Sequence, residues 1–197
     1  MSDVIATLAG LAPGSALDTL RARREQARSQ SQASYEALFQ PADPGGFPVL
    51  DRLAVAMFTA GIQGQTAIAT FYSDAYTRAH GRSAIPAATE TTIVEAEAQG
   101  PYGRYPAGPL SAEDADGPEF RVGPALRQTL GPRLVAAYEH AHMLVFHPRD
   151  ASPAHLQALL DAGWATPEVV TLSQLVSFLS YQVRIAAGLR AMAKAQA

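Results

Sequence analysis

One short segment concentrates side chains that can carry protons. AAYEHAHMLVFHPRD holds three of the five histidines within eight residues. Glu139 and His142 are three residues apart, so on a helix they share a face, where the carboxylate would raise the imidazole pKa and hold one tautomer. A pair of this kind performs general acid–base catalysis, which makes Glu139 and His142 the candidate catalytic residues. The alternative is an ordinary surface contact between a glutamate and a histidine.

The spacing of the histidines argues against a simple metal site. His140 and His142 are two residues apart, so their side chains project about 200° from each other on a helix and cannot chelate one ion together. His147 precedes Pro148 and is expected at a helix C-terminus, where a cationic ring suits the helix dipole. We therefore predict neither a metal nor a cofactor.

A second group of candidate residues lies on the last long helical segment. At about 100° per residue from Val169, apolar residues form two stripes. The first holds Leu172, Leu175, Val176, Leu179 and Val183, and the second holds Phe178, Ile185 and Leu189. Between them lies a polar strip of Ser173, Ser177, Ser180 and Arg184, edged by Gln174 and Tyr181. Because a polar strip on a buried helix needs partners, it is either the floor of a pocket or a packing strip of small residues.

The helices that carry this strip have clear start and stop signals. Ser152 is placed to cap a short helix, Pro153 fits its first turn, and Gly163 ends it. Thr166 and Pro167 repeat the start signal for a helix that runs to about Lys194. The chain therefore predicts a short helix followed by a long, mostly buried one.

These two helices resemble the C-terminal helix pair of the carboxymuconolactone decarboxylase and alkylhydroperoxidase (AhpD-like) superfamily. The resemblance is carried by the P-x-x-x-x-x-L-L-x-A-G helix and the E-V-V-x-L-x-Q-L-V-x-F-x-x-x-Q-x-R helix between Ser152 and Arg190. Members of the peroxidase-related branch are similar there, with an acidic residue opening the long helix and an arginine near the place of Arg184. The opening APGSALDTLRARREQARSQSQASYEALFQPADPGGFP resembles a subfamily with an added N-terminal helix. The resemblance implies an AhpD-like helical bundle and a frequent pairing with a cysteine-bearing peroxidase-related protein.

The chain has no cysteine, and this excludes the chemistry that the resemblance would otherwise imply. Peroxidase members of the superfamily use a Cys-x-x-Cys pair, an acidic residue about three turns upstream and a histidine about one turn downstream. Without a thiolate there is no peroxidatic sulfur, no resolving sulfur and no dithiol to be reduced again. The chain by itself is therefore predicted not to be a thiol peroxidase.

The missing motif would fall in LDRLAVAMFTAGIQGQTAIATFYSDAY. Asp51 would take the acidic position, Gln63 and Thr66 would lie near the cysteine positions, and Thr70, Phe71 or Tyr72 would lie near the histidine. A polar pocket of Gln63, Gln65, Thr66 and Tyr72 could bind a small molecule without redox chemistry. The alternative is that these residues are helix-surface positions left after the site decayed.

Helical patterns separated by Pro and Gly predict an all-α single domain covering residues 1–197. Residues 1–46 form an N-terminal extension, with one helix from Ser15 to Phe39. The further helices are expected at Val49 to Ala60, Gln63 to His80 (the two meeting at Gly61), Pro86 to Gln99, and Arg121 to Phe146 with an interruption at Gly131–Pro132.

Residues 100–124 contain five Gly and five Pro and are expected to form a loop without regular elements. Long loops of this kind are often lids or binding segments. Tyr102, Arg104 and Tyr105 could bind an anion or stack on a planar group, which makes Arg104 a candidate for substrate binding. The alternative is that the aromatic rings anchor the loop to the body of the protein or to a neighbouring subunit.

The composition limits the classes of partner. A formal charge of -3, with basic residues clustered only at Arg21, Arg23, Arg24 and Arg28, gives no face suited to nucleic acid, and this cluster is interpreted as solvated helix surface. No basic leader and no apolar stretch of about 20 residues are present, so we predict no membrane association and a cytoplasmic location. The stripe of Phe178, Ile185 and Leu189 is the candidate surface for a homo-oligomer.

Two functions from different classes remain open. The first is a non-catalytic or accessory AhpD-like protein that works beside a cysteine-bearing peroxidase-related partner. The second is a non-redox decarboxylase or lyase acting on a small anionic substrate. In the second case Arg184 would hold a carboxylate with Tyr181 beside it, Glu139 and His142 would move protons, and residues 100–124 would cover the site.

Overall fold

The computed structural model of the chain describes residues 3–195, and every regular element within them is helical. The α-helices are α1 Val4–Ala9, α2 Ala16–Ala22, α3 Glu25–Phe39, α4 Val49–Ile62, α5 Thr66–His80, α6 Ile85–Glu95, α7 Pro124–Phe146, α8 Pro153–Asp161 and α9 Thr166–Ala195. Short 3-10 helices occupy Pro109–Glu113 and Pro148–Asp150. The predicted all-α fold class is confirmed.

Helix α4 lies at the centre of the fold, where it packs against α5, α6, α7 and α9. Every residue from Arg52 to Ala60 is buried, because a helix surrounded on all sides has no solvent face. Aromatic rings fill the space between the helices: Phe58 of α4 stacks on Tyr138 of α7 with ring centroids 4.4 Å apart. This central helix holds the surrounding helices in fixed positions.

The two C-terminal helices follow the predicted boundaries. Pro153 opens α8, and Gly163 follows its end with a φ of +88°, a left-handed conformation that favours glycine. Helix α9 begins at Thr166, as the start signal predicts. The first apolar stripe is buried at Leu172, Leu175, Val176, Leu179 and Val183. The long helix therefore presents that stripe to the core.

The N-terminal extension differs from the prediction in two ways. The single helix expected from Ser15 to Phe39 is broken at Arg24, whose φ of −114° and ψ of 58° are not helical. Helix α1 was not predicted; Asp3 caps it by accepting a 3.1 Å hydrogen bond from the Ala6 N–H. A helix of six residues is unstable alone, so packing against α9 stabilises it.

The connections in the middle of the chain also shift. Helix α4 continues through Gly61, where a break was expected, and the turn comes at Gln63 to Gln65, with Gly64 at a φ of +71°. Helix α6 ends at Glu95, short of the predicted Gln99. The kink in α7 lies at Gly131, as predicted.

None of the helices formed by residues 3–195 is long and apolar enough to cross a membrane.

The segment 100–124 is largely irregular, as its composition predicts. The expectation that it holds no regular element is wrong at Pro109–Glu113, which forms a 3-10 helix. An isolated antiparallel bridge joins Gly103 to Ala115, with the Gly103 N–H donating to the Ala115 carbonyl at 2.7 Å. These backbone contacts hold the two halves of the loop together.

Candidate functional site

A cleft of about 960 Å³ lies between the turn after α4 and the middle of α9, and we call it the α4–α9 cleft. Its polar lining is formed by Gln63, Gln65, Gln99, Ser177, Ser180 and Arg184, together with the acidic residue Glu97. Part of the predicted polar strip therefore faces open space, whereas Ser173 bonds back to the Val169 carbonyl at 3.0 Å and lies outside this lining. The cleft brings together the predicted residues Gln63 and Arg184.

Two of the three glutamines that line the α4–α9 cleft, Gln63 and Gln65, are held by hydrogen bonds within the protein. The Gln63 amide donates to the Thr59 carbonyl at 2.9 Å, one turn earlier on α4. Gln65 Oε1 accepts a 3.3 Å hydrogen bond from Arg190 of α9. These contacts fix both side chains in the rim of the cleft and reduce their capacity to bind a ligand.

Arg184 is the cationic group of this cleft. Its Nη1 donates to the Ser180 carbonyl at 2.9 Å, and it forms no ion pair with any carboxylate of residues 3–195. The side chain is exposed, so its remaining N–H groups face solvent. An exposed guanidinium without a carboxylate partner can bind an anion through paired hydrogen bonds.

Tyr72 does not line a pocket, and this prediction is corrected. The side chain is completely buried, and its hydroxyl donates a 2.6 Å hydrogen bond to Gln182 Oε1. Burial raises the pKa of the Tyr72 phenol well above its usual value. Thr66 is exposed as the first residue of α5 and is not in the lining of the cleft. Tyr72 therefore belongs to the core, and neither residue stands beside Gln63 in the cleft.

Asp51, the predicted acidic position, lies on α4 and is half-buried. Burial raises the pKa of its carboxyl, and the nearby Arg133 guanidinium opposes that effect in part. The residue is not in the lining of the α4–α9 cleft. Asp51 and Gln63 therefore do not share this cleft.

The two remaining substrate-binding candidates lie elsewhere. Arg104 is exposed and pairs across its own loop with Asp116 at 2.9 Å. Tyr181 is exposed on α9, and its hydroxyl shares a 2.9 Å hydrogen bond with the Ser31 hydroxyl of α3. The ion pair of Arg104 therefore stabilises the loop of residues 100–124, while the hydrogen bond of Tyr181 connects the N-terminal extension to α9.

Glu139 and His142 lie in a second cleft, of about 830 Å³ between α7 and α8, which we call the histidine cleft. Glu139 accepts a 3.1 Å hydrogen bond from Arg121, a further short one from Arg127, and a 3.0 Å bond from the Val122 N–H. These donors occupy its carboxylate. The predicted contact with His142 is therefore not formed, because two charged guanidinium groups outcompete an imidazole.

His142 is buried among aromatic rings. Its ring centroid lies 5.0 Å from that of Phe120 and 4.8 Å from that of Phe146. Burial lowers the pKa of His142 to about 4, so the ring is neutral at pH 7. A neutral ring in an aromatic cluster fits a packing role, which is the alternative to acid–base catalysis.

The predicted residues are thus distributed over separate places. Gln63 and Arg184 share the α4–α9 cleft, Glu139 and His142 lie in the histidine cleft, and Arg104 lies in the loop. Arg184 therefore lies in a different cleft from Glu139 and His142, so one small ligand cannot contact all three residues. Among residues 3–195, no group of three or more His, Asp or Glu side chains is placed to hold a metal ion.

Sequence reasoning missed two arginines that organise the structure. Arg52 is buried and donates to the carbonyls of Phe47, Leu38 and Pro44 at 2.8 to 2.9 Å. Arg190 donates to the Leu8 carbonyl at 2.8 and 3.1 Å. Their acceptors are backbone carbonyls, in the case of Arg190 one that lies 182 residues away, and no residue type signals such acceptors in advance.

Comparison of the chain with protein-family models, with curated proteins and with solved structures gives no match. Membership of the AhpD-like superfamily therefore stays a prediction that rests on the residues between Ser152 and Arg190 and on the opening segment.

Proposed function

We propose that the chain is an AhpD-like protein without peroxidatic thiols that acts as a non-catalytic or accessory homologue of peroxidase-related proteins. The observation that carries this proposal is the absence of cysteine from all 197 residues. At the expected place of one cysteine, Gln63 presents an amide bound to the Thr59 carbonyl. An amide is neither a nucleophile nor a redox group, so peroxide has nothing to oxidise at that position.

The α4–α9 cleft supports a binding role in place of a redox one. Arg184 is exposed beside the hydroxyl groups of Ser177 and Ser180 and has no carboxylate partner among the described residues. A small anion bound there would be held by the charge of Arg184 and by hydrogen bonds, against the repulsion of the Glu97 carboxylate in the same lining. Binding without turnover is what an accessory protein of this type requires.

Peroxide consumption tests the proposal. Purified protein is assayed with hydrogen peroxide and a dithiol donor, alone and together with a Cys-x-x-Cys AhpD-like peroxidase from the same organism. We expect no consumption by the chain alone and at least a twofold change in the partner's rate when the chain is added. Peroxide turnover by the chain alone would refute the prediction that the chain is not a peroxidase by itself. An unchanged rate of the partner, without formation of a complex, would refute the accessory role.

The proposal includes self-association and a cytoplasmic location. Leu189 is buried within the chain, where α1 and α3 pack on α9, while Ile185 remains 37% exposed. Only part of the predicted stripe is thus available to a second copy. Light scattering of the purified protein checks this point: a mass of at least two chains is expected, and a monomer at all concentrations contradicts it.

The second candidate, a decarboxylase or lyase, is favoured only by Arg184, which could hold a substrate carboxylate. Glu139 is occupied by Arg121 and Arg127, so the proton transfer would have to come from other groups. Release of carbon dioxide from a carboxylated lactone is the direct assay. Turnover that is lost in Arg184→Gln would support this candidate over the accessory role, and absence of turnover in the unmodified protein excludes that reaction.

A further inference from the structure

A separate groove of about 260 Å³ lies between α9 and the junction of α2 and α3, and we call it the arginine groove. Four arginines line it: Arg21, Arg24, Arg28 and Arg184. The break at Arg24 that separates α2 from α3 shapes this side of the groove. What sequence reasoning interpreted as a solvated basic helix surface is thus one wall of a concave site.

Two of the four arginines are neutralised inside the protein. Arg21 donates to the Asp3 carboxylate at 2.9 Å, and Arg28 donates to the same carboxylate at 2.8 Å and lies 3.2 Å from Asp18. The Asp3 side chain is only 11% exposed, so these pairs are fixed structural contacts. They join the N-terminus of α1 to α2 and α3 within the N-terminal extension.

Arg24 and Arg184 supply the remaining positive charge. Both side chains are exposed, and neither forms an ion pair with a carboxylate of residues 3–195. The four arginines carry four positive charges, and the carboxylates of Asp3 and Asp18 compensate two of them. The groove therefore has a net charge of two positive charges. This excess favours an anionic occupant, and guanidinium groups match the geometry of a carboxylate.

The floor of the groove is apolar. It includes Ile185 and Met192, which are 37% and 43% exposed, and Leu189, which is buried. Gly188 adds no side chain, and a Cβ placed there would meet no atom within 4 Å. An apolar channel that reaches solvent beside unpaired cations is complementary to a molecule with an anionic head and an alkyl chain.

We propose that the arginine groove binds a single-chain amphiphilic anion, a medium-chain carboxylate, with its carboxylate at Arg24 and Arg184 and its alkyl chain over Gly188. The volume lies below the range of about 300–1,000 Å³ for sites of drug-sized ligands, which limits the occupant to one short chain. The arginine groove and the α4–α9 cleft share Arg184, so its guanidinium can hold an anion at only one of them at a time. The proposal for the arginine groove does not depend on a role beside a peroxidase.

Isothermal titration calorimetry with decanoate, below the concentration at which it forms micelles, tests the proposal. We expect one decanoate per chain and an affinity that falls about two- to fourfold for each methylene removed towards hexanoate, because each lost methylene reduces apolar burial. Acetate carries the head group alone and decanol the tail alone, and both are expected to bind at least tenfold more weakly than decanoate. Equal binding of acetate or of decanol would overturn the proposal.

Two variants, Arg24→Gln for the head group and Gly188→Leu for the alkyl chain, separate the two contributions to decanoate binding. Arg24→Gln removes one unpaired cation and should weaken decanoate binding at least fivefold. Arg23→Gln is the matched control, since Arg23 is exposed next to Arg24 and is not in the lining of the groove. An equal loss in both variants, or no loss in Arg24→Gln, would contradict the assignment.

Gly188→Leu fills the floor without changing charge, and leucine is a better helix former than glycine, so the variant is expected to fold. Decanoate binding should be lost, with an unchanged helical circular dichroism spectrum. Retained binding in Gly188→Leu would place decanoate elsewhere and overturn the proposal. Sedimentation with vesicles containing anionic phospholipid distinguishes a membrane surface: binding to vesicles without binding to free decanoate also overturns it.

Discussion

The Tyr72 hydroxyl donates a 2.6 Å hydrogen bond to Gln182 Oε1, and both side chains are completely buried. This bond joins α5 to α9 across the core. Gln182 Nε2 has no hydrogen-bond partner among residues 3–195, so the amide depends on Tyr72 alone. A buried polar group that loses its last partner carries the full cost of its desolvation.

Tyr72→Phe should therefore lower the free energy of unfolding by about 1–3 kcal/mol, measured by urea denaturation. The double variant Tyr72→Phe with Gln182→Leu should recover part of this loss, because the buried amide left unpaired by Tyr72→Phe is then removed. Tyr105→Phe, at a half-buried loop position, is the control for loss of a phenol. A Tyr72→Phe protein as stable as the unmodified chain would show that the bond contributes nothing.

Arg52→Lys should lower the free energy of unfolding by about 2–4 kcal/mol. Lysine cannot reproduce the planar fork with which Arg52 donates to Phe47, Leu38 and Pro44, and some of these buried carbonyls would lose their donor. The exposed Arg23→Lys is the control and should change stability by less than about 0.5 kcal/mol. Similar denaturation midpoints for the two variants would contradict the proposed role of Arg52.

Stability should fall as the pH is lowered from about 6.5 to about 4. Burial lowers the pKa of both His140 and His142 from 6.5 to about 4, so between these values the unfolded chain binds more protons than the folded one. Each histidine contributes a slope of up to about 1.4 kcal/mol per pH unit, and its stabilising contribution is fully present above pH 6.5.

His142→Phe tests this dependence, since phenylalanine suits the cluster of Phe120 and Phe146. The variant should show a shallower fall in the free energy of unfolding between pH 6.5 and 4 than the unmodified protein. Val170→Ala, at an exposed position of α9 without an ionisable group, is the control and should leave the slope unchanged. If the pH dependence of the free energy of unfolding is the same in His142→Phe as in the unmodified protein, then the His142 imidazole binds a proton as readily in the folded state as in the unfolded one.

Gly61→Ala should destabilise the contact between α4 and α6. A Cβ at Gly61 would overlap the side chain of Ile93 on the facing helix, and such overpacking costs about 1–3 kcal/mol. Combining it with Ile93→Ala should relieve the overlap, so that the two changes together cost less than the sum of their separate effects. Strictly additive values in a double-mutant cycle would exclude close packing at this position.

The helices with local start and stop signals could be predicted from the sequence, and α8 and α9 are the clearest cases. Helix α1 could not, because its stability comes from packing against α9. The site shows the same division. The helical spacing of Glu139 and His142 was visible, but the arginines that occupy Glu139 approach from the preceding loop and from an earlier turn of α7. The spacing of residues in the sequence predicts which side chains are neighbours on one helix. It does not predict which residues from other parts of the chain bind the same side chain.

The hydrogen bonds from Arg190 to the Leu8 carbonyl close a loop of 182 residues. Closing a loop of this length has a large entropic cost, which must be met before the contact itself can stabilise the chain. During folding, the corner formed by α1 and the end of α9 should therefore assemble late, after the contacts around α4 are in place. The same corner should be among the first parts to open when the protein unfolds.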